Sequence, residues 1–175
     1  MRFFSNIRLL LLAIWLGGAV FFIGVAQTAF MVLPQRESAG AVVGANLAIL
    51  NYAGIGVAVL LLLSSVVGSA LVSKLWLWVE RFLLLIVAAA CAVGQFVIAT
   101  WLAALRSQMG RSIDEVAADD PLRVQFNTLH EYSVWVMMAA MAAALITFFI
   151  IANRKFDAAK ETKADIYDFS KEFKA

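Results

Sequence analysis

The chain has 175 residues, of which 63% are hydrophobic and 15% are charged, and its formal net charge is +2. Soluble domains are typically about 45–50% apolar with about 25% charged residues, so a water-facing coat cannot be built from so few charges. The composition excludes a soluble enzyme, a disordered chain and a nucleic-acid-binding module, and it predicts a protein whose solvent is the lipid bilayer.

Four apolar stretches reach membrane-spanning length, at about 9–33, 47–72, 82–105 and 132–152. A hydrocarbon core about 30 Å thick needs about 20 apolar residues in a helix, and backbone groups in lipid must bond within their own segment. We predict an all-α integral membrane protein with a four-helix transmembrane domain over 1–152. A signal peptide is the alternative for the first stretch, because residues 24–26 are small, but the apolar run continues to Leu33.

Three connections separate the stretches. We predict a short connection over 34–44 and a tight turn over 73–81 that carries two tryptophans. The third, 106–128, is the sizeable polar one. Its Ser112 and Glu115 have the spacing of a capping box, which predicts a short surface helix. Asp120-Pro121 is typical of a helix start, so the fourth helix should begin there.

Lysine and arginine predict the orientation. With the N-terminus inside, ten of them are cytoplasmic and four are outside, so the positive-inside rule favours two cytoplasmic termini. The five tryptophans fall towards helix ends, as in an aromatic belt. The tail, 153–175, has Ile166, Phe169 and Phe173 on one helical face. We expect either a short amphipathic segment on the inner membrane surface or a solvated, partly ordered tail.

Polar residues within the stretches gather in the half predicted to be outer. The candidate functional cluster drawn from them contains Gln27, Asn51, Gln95, Asn127, His130 and Glu131. The inner halves carry almost no polar side chains apart from three serines and Thr147. This asymmetry indicates either an outward polar pocket or interhelical hydrogen bonds. Ionisable residues at membrane depth are functional candidates by default, which singles out His130.

Small residues at helical spacing predict close packing within the chain or between protomers. The stripe on the first helix contains Ala13, Gly17, Gly24 and Thr28. No common cofactor or nucleotide motif occurs, and one histidine cannot supply a bis-histidine haem site, so we expect no cofactor, no catalytic residues and no conventional metal site. Met137, Met138, Met141 and Cys91 are soft-metal ligands by type, although methionine is also an ordinary packing residue.

Two segments resemble the transmembrane protein 205-like family, a domain of unknown function. One begins at Trp15-Leu16-Gly17 and continues through Leu33-Pro34, and the other is the Leu-Arg-x-x-Phe-x-x-x-His element that ends at His130. The resemblance covers about residues 9–152 and departs at Leu50-Asn51, where a proline is expected. It implies a membrane protein without implying a reaction, and it adds Arg123, which is seven residues before His130, to the candidate cluster.

The sequence therefore favours a non-catalytic structural or accessory membrane protein that packs with itself or with a larger membrane assembly. The alternative is a transporter or channel for a small solute or soft metal that uses the outer polar cluster. The expected location is the bacterial inner (plasma) membrane, and the expected partners are lipid and protein rather than nucleic acid.

Overall fold

The computed structural model describes residues 2–67 and 74–153 of the chain. Within this part, four helices are long and apolar enough to cross a membrane by length and composition. They are α1 (Arg2–Val32), α2 (Arg36–Val67), α3 (Lys74–Met109) and α4 (Pro121–Ala152). The described residues include no strand, so the predicted all-α, four-helix membrane architecture is confirmed.

The helices form a ring in chain order. α1 and α3 each pack against both α2 and α4. Neighbouring helices run antiparallel, so the start of α1, the end of α2, the start of α3 and the end of α4 share one end, the terminal end. The opposite end, which carries the connection 110–120 between α3 and α4, is the loop end. This arrangement places residues from all four helices within reach of one another at each end.

The helices are longer than the predicted apolar spans because a helix continues past the hydrocarbon while hydropathy reports only its apolar part. The predicted connection over 34–44 is wrong from Arg36 onward, where α2 begins. The predicted turn over 73–81 is wrong from Lys74 onward, where α3 begins. The polar connection shrinks from 106–128 to 110–120.

That connection contains turns and no helix, so the predicted surface helix at Ser112 is wrong. The Glu115 N–H donates to the Ser112 carbonyl at 2.9 Å, which closes a turn that no apolar run extends. The start of α4 is confirmed. The Asp120 carboxylate accepts from the Leu122 N–H at 2.8 Å, and Pro121 occupies the first helical position, where no N–H is needed.

The outside of the bundle is apolar. Large side chains such as Phe21 and Met31 are 74% and 78% exposed, an arrangement suited to lipid and not to water. Trp76, Trp78, Trp101 and Trp135 are also exposed. Trp15 differs from the predicted belt: it lies mid-helix, is 3% exposed and donates its indole N–H to the Leu50 carbonyl at 3.0 Å. An indole can be buried there because its one donor is satisfied.

Gly54 marks the closest approach of helices in the core. A Cβ at this position would lie 2.6 Å from the Cys91 sulphur and 2.8 Å from Trp15 Nε1. The absent side chain therefore lets α1, α2 and α3 meet at one point, as small residues do in membrane bundles. The amphipathic segment predicted for the tail lies outside the described residues.

Candidate functional site

A partly open cavity of about 300 Å³ lies at the loop end. Its walls come from the first half of α2, the second half of α3, the start of α4, Phe30 of α1 and Ile113 of the connection. Its polar lining comprises Arg36, Asn51, Gln95, Arg106, Asn127, His130 and Ser133. No aspartate, glutamate, cysteine or methionine is among the residues that line it. The cavity is therefore a mixed polar and apolar chamber whose charged groups are cations.

Four of the seven candidate residues meet in this cavity: Asn51, Gln95, Asn127 and His130. They come from three helices and from positions up to 79 residues apart in the chain, and the antiparallel ring brings them to the same depth. Their side chains differ in exposure: Asn51 is buried, whereas His130 is exposed at the cavity wall.

The other three candidates lie elsewhere. Gln27 is exposed on α1 and Glu131 is exposed on α4, and neither lines the cavity. Arg123 is half-buried and donates to the Val116 carbonyl at 2.5 Å. It therefore holds the connection 110–120 against the start of α4.

A second contact fixes this connection from the side of α2. Arg36 Nη1 lies 3.3 Å from the Asp114 carboxylate, and both side chains are largely exposed. An exposed pair of this kind contributes little stability, about 0–1 kcal/mol. Together with Arg123, it places Ile113 at the cavity.

Arg106 was not predicted as a site residue, because the predicted orientation places it among the four charges outside the membrane. In the structure α3 continues to Met109 and carries Arg106 into the cavity wall. The guanidinium carbon lies 5.2 Å from the centroid of the Phe126 ring. A Cβ on Gly40 would lie only 2.6 Å from Arg106 Nη2, so the glycine creates the space that the guanidinium occupies. The sequence could have indicated this position of Arg106, because Arg106 follows Gln95 by eleven residues, which is three turns along the same face of a helix.

Arg106 makes no hydrogen bond or ion pair with the described residues. Asn51 is only 2% exposed and lines the cavity, and within the described part of the chain its amide has no hydrogen-bond partner either. The cavity thus holds two donor-bearing side chains that remain available to a third molecule.

A π-helical segment, Val93–Ile98, interrupts α3 beside the cavity. The Ala99 N–H donates to the Gly94 carbonyl, five residues earlier, which widens the helix at this turn. Gly94 and Gln95 both line the cavity, and a Cβ on Gly94 would lie 3.4 Å from Asn51 Nδ2. Single π turns inside α-helices are frequent at functional sites.

The terminal end contains a second polar group that was not predicted. Arg8, 7% exposed, forms an ion pair with Glu80, which is fully buried, and its Nη2 also donates to the Leu61 carbonyl at 3.0 Å. Arg81 donates to the Ser65 hydroxyl at 2.9 Å and to its carbonyl at 3.1 Å. These charges flank the predicted apolar stretches and lie outside them, and helix packing turns them inward at the terminal end.

A metal centre has little support in the described residues. They contain no group of three or more histidine, cysteine or acidic side chains that could hold an ion. Cys91 is buried in the core, and Met137 and Met141 pack partly buried against that core. Met138 is 49% exposed. None of these sulphur atoms faces the cavity.

Comparison with known proteins identifies one family. Residues 10–111 match the model of a domain of unknown function (DUF4149), a segment that includes most of α1, all of α2 and all of α3. No curated protein and no solved structure matches the chain. The matched segment contains Asn51, Gln95 and Arg106 and ends before the element that leads to His130. Because the match spans more than half of the chain, this protein belongs to the DUF4149 family of unknown function.

Proposed function

We propose that this protein is a non-catalytic membrane carrier for a small polar solute, which enters the cavity from the loop end. The observation that carries the proposal is the difference between the two ends of the bundle. The loop end has a partly open cavity of about 300 Å³ with the unpartnered Asn51 amide in its wall. At the terminal end, the described residues hold the buried ion pair of Arg8 with Glu80 instead.

A carrier needs a site that is open to one side at a time. The centre of the bundle is packed by buried apolar side chains such as Leu12, Leu84 and Ala144. These groups separate the cavity from the terminal end. The π-helical segment beside the cavity is a place where α3 can change its hydrogen-bond register. Ion pairs that break and re-form at helix ends are a common means of closing a bundle.

Accessibility of the cavity tests this proposal first. We expect Gln95→Cys in the full chain, reconstituted in vesicles, to react with a small thiol reagent that cannot cross the membrane. Ala144→Cys is the matched control, because Ala144 is fully buried in the core and should stay unlabelled. The wild-type chain measures the background from Cys91, which is 1% exposed. An unreactive Gln95→Cys would refute a water-accessible cavity.

Removing the ion pair at the terminal end tests whether the site can also open towards that end. In a Glu80→Gln chain the closing ion pair loses its anion, so a cysteine at Ala144 should become more reactive than in the native background. Labelling of that cysteine at the unchanged rate would show that the ion pair does not close a pathway.

A second candidate function, assembly with itself or with a larger complex, is favoured by the surface of α1. Ala13, Gly17, Gly24 and Thr28 are all exposed, and a Cβ on either glycine would meet nothing within 4 Å. The stripe is therefore not used for packing within the described bundle, and it is available to another helix. We expect Gly17→Cys chains to cross-link in membranes and Ile23→Cys chains, at an exposed position about 120° away around α1, to cross-link less. Equal yields would count against the stripe.

We further propose that both termini are cytoplasmic in a bacterial inner membrane, as the distribution of lysine and arginine indicates. The resemblance to the transmembrane protein 205-like family stays a prediction beside the family match. An impermeant label should reach Ser112→Cys and not Ser170→Cys in intact cells. The reverse pattern would overturn the orientation.

A further inference from the structure

We propose that the ligand of the cavity is an anion that presents a phosphate or carboxylate group, and that Arg106 binds it. This inference rests on the proposed function and names the chemical class of its solute. It excludes a soft metal ion as the cargo of this cavity.

The residues that line the cavity carry positive charge only. Two guanidinium groups, those of Arg36 and Arg106, face a chamber with no acidic residue among the residues that line it. Asp114 neutralises part of the charge of Arg36 from outside the lining. Arg106 has no such carboxylate. Its guanidinium lies against the Phe126 ring and beside Gly40.

The guanidinium of Arg106 is suited to bind an oxyanion. Arg106 is half-buried and has no anionic partner among the described residues, so its guanidinium donors are open to an oxyanion that enters the cavity. The planar fork of a guanidinium matches two oxygens of a phosphate or carboxylate. The ring of Phe126 holds the group in place while leaving its N–H donors free.

The cavity lining also offers other donors. Asn51 and Gln95 offer side-chain amides, and His130 offers at least one ring N–H in any protonation state. Asn51 is buried and unpartnered within the described residues. A cation would meet repulsion from both arginines here, and the thioether and thiol groups that suit soft metals do not line the cavity.

The apolar part of the lining indicates room for more than an inorganic ion. Phe30, Leu47, Leu102 and Ile113 face the same chamber. The volume of about 300 Å³ is at the lower limit of sites for small organic ligands, which span roughly 300–1,000 Å³. The same oxyanion chemistry is available from a water-soluble metabolite and from a lipid headgroup, since the cavity lies at one end of the membrane-spanning helices.

Binding of inorganic phosphate to the purified full chain, in lipid-free dodecyl maltoside micelles and measured by calorimetry, tests the class with a free ion. Acetate serves as the carboxylate probe, and glycerol and potassium ions serve as the neutral and cationic probes. We expect phosphate or acetate to bind and the other two not to bind. A second arm compares spin-labelled phosphatidylglycerol with spin-labelled phosphatidylcholine in phosphatidylcholine vesicles. Binding of phosphate or acetate in micelles would identify the ligand as a free anion. Selectivity for phosphatidylglycerol in vesicles would identify it as a lipid headgroup. Either result supports the proposal.

Two variants locate the anion at Arg106. Arg106→Gln should weaken binding about 10- to 100-fold, because hydrogen bonds to charged groups are lost. Gly40→Ala should weaken it as well while leaving every charge in the chain unchanged, because its Cβ would displace the flexible guanidinium. The matched controls are Arg111→Gln, an exposed arginine of the connection, and Gly56→Ala, whose Cβ meets nothing within 4 Å. Both controls should bind as the wild type does.

The results separate this inference from the proposed function. If Gln95→Cys is labelled while phosphate, acetate and phosphatidylglycerol all fail to bind, the carrier survives and the anion is refuted. Equal weakening by Arg111→Gln and Arg106→Gln would also refute the assignment, since it would indicate diffuse surface charge. If Gln95→Cys is not labelled, the carrier fails, whereas anion binding that depends on Arg106 would still support this site.

Discussion

The buried ion pair at the terminal end gives the strongest prediction for stability. Glu80→Gln removes the negative charge while keeping the size of the side chain, so the change creates no large cavity. Arg8, which is 7% exposed, is then left in an apolar interior without its carboxylate partner. Breaking a buried pair by removing one partner typically costs about 3–5 kcal/mol, because the remaining charge is uncompensated.

The structure places the expected value near the lower end of that range. Arg8 keeps its hydrogen bond to the Leu61 carbonyl, which satisfies one guanidinium donor. Its position near the start of α1 also lets the long side chain extend towards the membrane interface. We therefore expect a loss of about 3 kcal/mol in the free energy of unfolding, which is more than a 100-fold change in the equilibrium constant.

Reversible unfolding of the full chain in mixed detergent and SDS micelles, followed by tryptophan fluorescence, measures this loss. The control is Glu131→Gln, an exposed carboxylate on α4, for which the change should stay within about 0.5 kcal/mol. The double variant Arg8→Met with Glu80→Leu removes both charges. It should recover stability to within about 1 kcal/mol of the wild type, because apolar replacement of a buried pair is often neutral or stabilising.

Two outcomes would refute this reasoning. If Glu80→Gln is as stable as Glu131→Gln, the pair is hydrated in the membrane and its burial has no energetic consequence. If the double variant is no more stable than Glu80→Gln, the loss does not come from an uncompensated charge on Arg8.

Three further changes have defined effects in the same unfolding assay. Gly54→Ala should destabilise by about 1–3 kcal/mol, because its Cβ would press on the thiol and indole that face it, whereas Gly56→Ala should be close to neutral. Asp120→Ala should lose about 1 kcal/mol by removing the N-cap of α4, and Asp119→Ala, which caps nothing among the described residues, should not. Trp15→Phe should lose about 1 kcal/mol with its hydrogen bond to a backbone carbonyl, and full stability would show that the bond is replaced.

The extent of the helices was predictable only in part. Each apolar stretch marks a helix because lipid admits no unsatisfied backbone, but hydropathy is silent about where a helix continues into the polar layer. Arg36 and Lys74 begin helices inside segments that composition assigns to loops. Asp120-Pro121 was predictable because an N-cap is a local contact, between residues two apart in the chain.

The candidate site was likewise predictable only in part from the sequence. Depth along the predicted spans places Asn51, Gln95, Asn127 and His130 at one level of the bundle, and all four line the cavity. Depth does not specify the direction of a side chain around its helix. Gln27 shares the level and faces outward, exposed on α1.

The sequence by itself determined that this chain is a four-helix membrane protein with its polar residues concentrated towards one end, because composition and hydropathy act through the solvent and need no partner. Only the tertiary structure decided which charges turn inward. Arg8 and Glu80 are 72 residues apart in the chain. The guanidinium of Arg106, on α3, occupies the space beside Gly40, on α2. Such pairs depend on the rotation of each helix about its axis, which is set by packing against its neighbours and not by any local pattern.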